Sequence, residues 1–344
     1  MEPYDTWIAA VGTALPGPPI DNATLTRRFA MPAVWEQWIG SFIGTRTRHF
    51  SFDLGTGEVR STLADLGATA GERAMAKAGV RPADVDLLML GTSSPDRLMP
   101  ATVNVIADRL GIDGISTYQF QSGCAGALQA LDVANQLLRS GRHRTALVLG
   151  GDRCAKHFDV TADITAMPPA EQVNGALFGD GAGAAVLRSG PAPAGATLVR
   201  HVFVQLAGAG RAPGQIVEWF GRADRDTDRP AFSEDYKAIE QSVPVMAAEV
   251  LDAMLDELGW KESDVDYLLP PQLSGRMTER ISERLALTGA SEVSCVADTG
   301  NTGNALPFFQ LEMLLPRMTD GDRALGIAIE SSKWIKSGIA LERL

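Results

Sequence analysis

The chain repeats itself. The segment AMAKAGVRPADVDLLML at 74–90 resembles MLDELGWKESDVDYLLP at 254–270. Gly79 and Gly259 stand 180 positions apart, as do the Asp-Val-Asp triplets at 84–86 and 264–266. Each copy reads as a helix end, a glycine stop, a short polar loop and an apolar strand. A second pair follows: GCAGALQALDVANQLLRSGRHRTALVL at 123–149 and GNTGNALPFFQLEMLLPRMTDGDRALGIAI at 300–329. Here Cys124 faces Asn301 at a shift of 177, and Ala146 faces Ala324 at 178. In both copies a small-residue turn opens an amphipathic helix, which is expected to end at Gly141 or Gly321 and feed an apolar strand. Two ordered blocks at nearly one shift predict an α/β protein of two pseudo-symmetric halves. The stretch SGPAPAGAT marks their junction, giving halves over 1–188 and 189–344.

At 344 residues the chain is long enough to bury a sizeable core without disulfide staples. Hydrophobic residues at 45% and charged residues at 21% exclude extended disorder. A net charge of −11 argues against nucleic acid or an anionic membrane as the main partner. The three cysteines, Cys124, Cys154 and Cys295, form no CxxC pair. They give no zinc pattern and fit a reducing compartment. The acidic start MEPYDTWIAAVG lacks the basic segment of a secretion signal. No apolar run approaches the roughly 18 residues of a membrane span, so a cytoplasmic location is expected. The segment 205–235, with AGAGRAPGQ and GRADRDTDRP, shows weak periodicity. It reads as an exposed excursion, either a binding loop or a solvated insertion.

Cys124 is the residue with the most chemical promise. It lies in FQSGCAGALQALDVANQLL among Ser122, Gly123, Ala125 and Gly126, with the helix starting at or just after it. A thiol at a helix N-terminus meets the positive end of the helix dipole and free N–H groups, both of which favour the thiolate. The same N–H groups can stabilise an oxyanion, and the small neighbours admit a substrate. A buried structural cysteine is the plain alternative. Cys154 and Cys295 lack this setting.

With GDGAGAAVL at 179–187 and GNTGNALP at 300–307, the Cys124 segment resembles the thiolase-like condensing enzymes, and among them ketoacyl-ACP synthase III. The likeness runs from Ile8 to Leu344 and includes IGTRTRHF at 43–50 and VDLLMLGTSSPDRLMP at 85–100. It implies a five-layered αβαβα fold, a homodimer, and an acyl group delivered as a thioester of CoA or of phosphopantetheinyl acyl carrier protein. No permanently bound cofactor or metal is implied. The family nucleophile falls on Cys124 and the catalytic asparagine on Asn301. The GDGAG segment, with Gly181 at its centre, resembles a glycine-rich turn near the active site. Trp38 falls where the family stacks near the CoA adenine, although the next basic position is Phe42 here. Arg276, Lys156 and Lys237 fall near pantetheine or phosphate contacts. Met99 falls where a residue reaches into the partner subunit's acyl pocket.

Two departures matter. The family's Pro-His-Gln-Ala-Asn becomes Pro270-Pro271-Gln272-Leu273-Ser274, so the histidine position is Pro271. Proline has no proton to give and no side-chain donor. The Gly-rich loop near the C-terminus becomes Glu330-Ser331-Ser332-Lys333-Trp334, in which Ser332 is taken as the oxyanion-hole position. Losing one donor to a developing oxyanion costs about 3–4 kcal/mol. Decarboxylation of a malonyl thioester is therefore disfavoured, while transfer of an acyl group to and from Cys124 is not. The leading expectation is an acyltransferase that passes this group to a hydroxyl or amine of a sugar or natural-product scaffold, as in antibiotic biosynthesis. A hydroxyl would need a base, for which His157 and His201 are candidates by residue type. The alternatives are a true condensing enzyme and a catalytically silent partner of an active homologue.

Overall fold

The computed structural model describes residues 4–157, 164–167, 169–220 and 228–344. The N-terminal elements are β1 (Thr6–Ala14), β2 (Ile20–Asp21), α1 (Asn22–Arg28), α2 (Ala33–Trp38), β3 (Thr47–Arg48), α3 (Leu63–Ala78), β4 (Leu87–Thr92), α4 (Thr102–Leu110), β5 (Ser116–Gln121), α5 (Gly126–Arg139), β6 (Thr145–Arg153), α6 (Pro169–Leu177) and β7 (Asp180–Ser189). The remainder are β8 (Thr197–Leu206), β9 (Gln215–Val217), β10 (Phe232–Glu234), α7 (Tyr236–Leu258), β11 (Tyr267–Leu269), α8 (Gly275–Leu285), β12 (Ser291–Glu292), α9 (Val296–Thr299), α10 (Leu306–Leu314), β13 (Arg323–Glu330) and β14 (Ile335–Arg343).

The main sheet has the order β12-β11-β13-β14-β8-β1-β7-β6-β4-β5. Read outward from its middle, each five-strand side repeats the other. The register repeats too: Leu87 pairs with Ala146 between parallel β4 and β6, and Tyr267 with Ala324 between parallel β11 and β13. The two sides join where β1 pairs with β8, through the short ladder Trp7–Leu198 and Ile8–Thr197.

Between the two sides lie α5 and α10. Ala127, Leu128, Leu131 and Leu138 of α5 share one buried cluster with Phe308, Leu311 and Leu314 of α10 and with residues of both sheet sides. α10 reads LPFFQLEML and buries residues all round, as a helix covered on every side must. Outside them, α3 and α4 cover the N-terminal sheet side, and α7 and α8 cover the C-terminal one. The layers therefore run αβαβα. Helix α3 begins with a capping box: the Thr62 hydroxyl accepts from Asp65 N–H at 3.1 Å, and the Asp65 carboxylate accepts from Thr62 N–H at 2.8 Å. No helix among the described residues is long and apolar enough to cross a membrane.

Three local expectations are corrected. The second repeat helix stops at Leu314, not near Gly321, because Pro316 cannot continue it. GDGAG is not a turn but the start of β7, paired with the end of β6. Its glycines make room for aromatic rings: a Cβ on Gly181 would lie 3.1 Å from Phe309, and one on Gly183 would press on Phe308. The 205–235 excursion holds a hairpin, β9 with β10, although positions 221–227 lie outside the described residues. The ladder pairs only three residues of each strand, too few to leave an alternating pattern in the sequence.

Phe308 is fully buried and also presses on Gly150, where a Cβ would stand 2.7 Å from the ring. Phe308→Ala should cost about 3–5 kcal/mol in denaturant unfolding. A loss below about 1 kcal/mol would contradict the central placement of α10.

Candidate active site

Cys124 sits in the turn between β5 and α5, two residues before the helix begins. Asp152, at the end of β6 and fully buried, fixes what surrounds that turn. Its Oδ1 accepts from Ser93 N–H (2.7 Å), Ser94 N–H (3.0 Å) and the hydroxyls of Thr92, Ser93 and Ser94. Its Oδ2 accepts from Asn304 N–H at 2.9 Å and Asn304 Nδ2 at 2.8 Å. Asn304 in turn donates to the Ser122 carbonyl at 3.1 Å and accepts from Ala127 N–H at 2.8 Å. Residues on both sides of Cys124 are thus tied to the C-terminal half. Gly303 must lack a side chain, because it has φ +55° and a Cβ there would meet Asp152 Oδ2.

Asn301 is brought to the same place. Its N–H donates to Leu177 O at 2.9 Å and its carbonyl accepts from Gly179 N–H at 3.0 Å. Its Oδ1 accepts from Gly303 N–H at 3.0 Å. That bond holds the amide and leaves Nδ2 as the donor for a ligand. Cys124 and Asn301 line one cavity together with Phe178, Gln215, Glu234 and Ser331. An adjoining cavity is lined by Cys124, Pro271, Leu306 and Gln310. Pro271 and Cys124 therefore share this cavity. The neighbouring Gln272 is committed to structure, since its Oε1 accepts from Cys295 and Val296 N–H, each at 2.8 Å.

The electrostatics differ from the expectation of a ready thiolate. Burial, then the negative charge of Asp152 and of Glu330, push the Cys124 thiol up to about 12, and Glu234 adds to this. The helix start cannot offset three acids in a dry site. Glu330 was not singled out as a site residue. It is buried, its Cγ lies 2.7 Å from where a Gly123 Cβ would stand, and its Oε2 accepts from Ser122 Oγ at 2.9 Å. Its Oε1 accepts from Ser332 N–H at 3.1 Å and from the Ser332 hydroxyl. Ser332 N–H is thus occupied. Ser331 instead lines the Cys124 cavity, and it replaces Ser332 as the oxyanion candidate.

Other expected residues are spread around the site. Gly181 lies in β7 against Phe309 and lines neither cavity that contains Cys124. His157 lines an adjoining cavity with Ser93, Cys154 and Phe232, which shares Phe178 and Gln215 with the cavity of Cys124 and Asn301, and burial, then Lys156, push its imidazole below the usual range. His201 pairs across β8 and β14 with Ala340 and belongs to neither Cys124 cavity. Lys156 donates to Pro95 O at 2.9 Å and stacks 4.1 Å from the Trp219 ring. That leaves its ammonium turned to the protein. Trp38 is half-buried near Phe42, and Arg276 donates to Ser41 O at 3.0 Å. These residues flank one another at the surface. Lys237 is exposed on the first turn of α7, and Met99 is 86% exposed and lines neither Cys124 cavity.

The family model described as 3-oxoacyl-[acyl-carrier-protein] synthase III matches residues 118–204, and the model of its C-terminal part matches 255–331. A β-ketoacyl-[acyl-carrier-protein] synthase III of Streptomyces coelicolor is 30% identical over 333 residues, covering 92% of this chain and 91% of the relative. Among solved structures, AbyA1, described as a tetronic acid condensing enzyme, is 60% identical with a TM-score of 0.95, covering 98% of this chain and 99% of that one. The 3-oxoacyl-(acyl carrier protein) synthase III of Pseudomonas aeruginosa is 26% identical with a TM-score of 0.83, at 98% coverage of each chain.

A thiol held at about 12 is protonated throughout the neutral range, and its thiolate fraction rises tenfold per pH unit below that value. Alkylation of Cys124, followed by peptide mass spectrometry, should accelerate from pH 7 to pH 10 without a plateau. A plateau near pH 7–8 would show a thiolate already formed. Glu330→Gln removes one of the opposing charges and should speed alkylation at pH 8 several-fold. An unchanged or slower rate would show that the Glu330 charge does not restrain the thiol.

Proposed function

The chain belongs to the 3-oxoacyl-[acyl-carrier-protein] synthase III family, and on that premise we propose that it joins two acyl thioesters without decarboxylation, closing a tetronic acid ring. The observation that carries this is a cavity shared by Cys124 and Asn301, beside a proline where the family has histidine. The 60% identity to a tetronic acid condensing enzyme supports the ring as the product class.

A tetronic acid is a five-membered lactone carrying a 1,3-dicarbonyl unit. Making one from a 2-hydroxyacyl thioester and a 3-oxoacyl thioester needs one carbon–carbon and one carbon–oxygen bond. In the first step Cys124 attacks the 2-hydroxyacyl thioester. A new C–S bond forms, the old one breaks, and the thiol proton leaves on the departing carrier sulfur. N–H groups near Cys124 and Ser331 would hold the transient oxyanion. In the second step C2 of the 3-oxoacyl thioester attacks the acyl-Cys124 carbonyl, and Cys124 leaves. That carbon lies between two carbonyls and is acidic enough to be deprotonated directly. No carboxylate need be lost, so the histidine and asparagine pair that would hold a malonyl-derived enolate is not required. Asn301 alone can donate to the thioester oxygen. In the third step the hydroxyl attacks the second thioester, the C–O bond closes the ring, and the second carrier thiol leaves. The acyl transfer expected from the sequence is kept, with an acceptor that is first a carbon and then a hydroxyl.

Acyl carrier protein or CoA would deliver both thioesters, and a homodimer would bring the exposed Met99 loop to a partner subunit. Decarboxylating condensation, the rival reading, has Pro271 against it. The test uses glycolyl and acetoacetyl thioesters of N-acetylcysteamine. Mass spectrometry should find 3-acetyltetronic acid, with two thiols released and no carbon dioxide, and Cys124→Ala should reduce its formation at least a thousandfold. A Cys124→Ala variant that retains the activity, or wild type that acts only on malonyl thioesters, would overturn the reading.

A further inference from the structure

The reaction just proposed leaves one role unfilled. A proton must leave the acceptor carbon and later the hydroxyl, yet the family histidine is Pro271, and Asn301 is an amide that cannot take a proton. Of the residues lining the cavity shared by Cys124 and Asn301, only Cys124, Glu234 and Tyr236 titrate.

Glu234 is held in place from several directions. It closes the β9–β10 hairpin opposite Gln215, another cavity residue. The hairpin is clamped to the loop beside Cys124: Gly214 N–H donates to Ser331 O at 3.0 Å, and Asp235 N–H donates back to Gly214 O at 2.8 Å. The Trp334 indole N–H donates to Ala212 O at 2.7 Å. Asp235 then caps α7 by accepting from Ala238 N–H at 2.9 Å. The carboxyl itself is partly buried, and among the described residues no donor or cation pairs with it. It is left facing the cavity with nothing to do in the resting protein.

We propose that the Glu234 carboxylate is the general base of the bond-forming steps, taking the proton first from C2 of the 3-oxoacyl acceptor and then from the hydroxyl. The proposal rests on the ring-forming reading above. The proton balance closes within the site. In the carbon–carbon step the C2 proton goes to Glu234 as the C–C bond forms, the C–S bond to Cys124 breaks, and Glu234 passes the proton to the departing Cys124 sulfur. In the ring closure the hydroxyl proton goes to Glu234 and then to the leaving carrier sulfur. Loading of Cys124 exchanges one thiol for another and consumes no base.

The environment suits this task. Burial pushes the Glu234 carboxyl up to about 7, which places it where a general base works best at neutral pH. The groups facing it are Cys124, with Glu330 behind it, and Tyr236 on α7, whose phenol burial and the Glu234 charge hold above its usual range. Lys237 is exposed on the next position, and Glu240 pairs with Arg280 farther along. His157 lines the adjoining cavity and not the one that Cys124 and Asn301 share.

The test separates the two half-reactions in the full-length protein. Loading of Cys124 by the glycolyl thioester is followed by intact-protein mass spectrometry. Discharge of the loaded enzyme by acetoacetyl N-acetylcysteamine is followed from pH 5.5 to 9. Wild-type discharge should rise with pH, bend near 7 and then level off, because the base must be ionised. Glu234→Gln should load Cys124 as fast as wild type or faster, discharge a hundred- to ten-thousandfold more slowly, and lose the bend. Glu234→Asp should recover part of the rate. His157→Asn should keep the wild-type profile. Normal discharge and an unchanged bend in Glu234→Gln would overturn the assignment of the base while leaving the reaction intact. Failure of wild type to load, or to discharge with this acceptor, would instead overturn the reading on which it rests. Loss of loading together with discharge in Glu234→Gln would show a structural role and also overturn the assignment.

Discussion

The arrangement hangs on one buried carboxylate. Among the described residues Asp152 meets no cation at hydrogen-bond distance, and it collects donors: the Thr92-Ser93-Ser94 corner at the end of β4 on one oxygen, and Asn304 at the head of α10 on the other. A charge placed there without them would be ruinous, so each donor is obliged to stay. Because the donors come from both pseudo-symmetric sides, the carboxylate fixes how α5 and α10 sit between the sheets. It thereby sets where Cys124 stands relative to Asn301. Burial first, and then the same charge, hold the thiol protonated. Structure and reactivity are therefore coupled through a single group: what assembles the site also restrains its nucleophile.

That restraint makes chemical sense with the rest of the cavity. A thiol that stays protonated is slow to react with stray electrophiles, and its sulfur readily takes back a proton when it leaves an acyl intermediate. Glu330 adds to the effect, held by Ser122 and Ser332. Among the described residues no cation lowers the Cys124 thiol, so in the proposed reaction the incoming thioester would carry the proton away on its own leaving group. Pro271 has no side-chain donor and, with Leu306, gives an apolar wall to the cavity that Cys124 lines. An acceptor that is already acidic fits such a wall better than one that must be made reactive by losing carbon dioxide.

Much of the architecture is legible in the sequence because it is written twice. The Asp-Val-Asp strands and the two small-residue helix starts reappear in the structure with matching register. Cys124 and Asn301 stand out for the same reason, as counterparts in one repeat. What escapes is what depends on distance through space. Asp152 and Glu330 are ordinary acids in sequence, and only the fold shows that both press on Cys124. Ser332 and Ser331 are indistinguishable until the Glu330 carboxylate is seen to occupy the Ser332 N–H. Glu234 sits in a stretch whose strands pair over three residues, too short to show a period, so the excursion reads as a loop. GDGAG misleads in the opposite way: its glycines suggest a turn, but they flatten a strand so that Phe308 and Phe309 can lie on it.

In the proposed reaction this site builds bonds from an acidic acceptor and not from a decarboxylated one. The most direct measurement loads Cys124 with a glycolyl group, removes excess donor, and offers malonyl or acetoacetyl thioester in parallel while intact-protein mass spectrometry follows the loss of the adduct. The account predicts that acetoacetyl thioester clears the adduct and that malonyl thioester leaves it in place. Clearance by malonyl thioester at a comparable rate, with release of carbon dioxide, would contradict it.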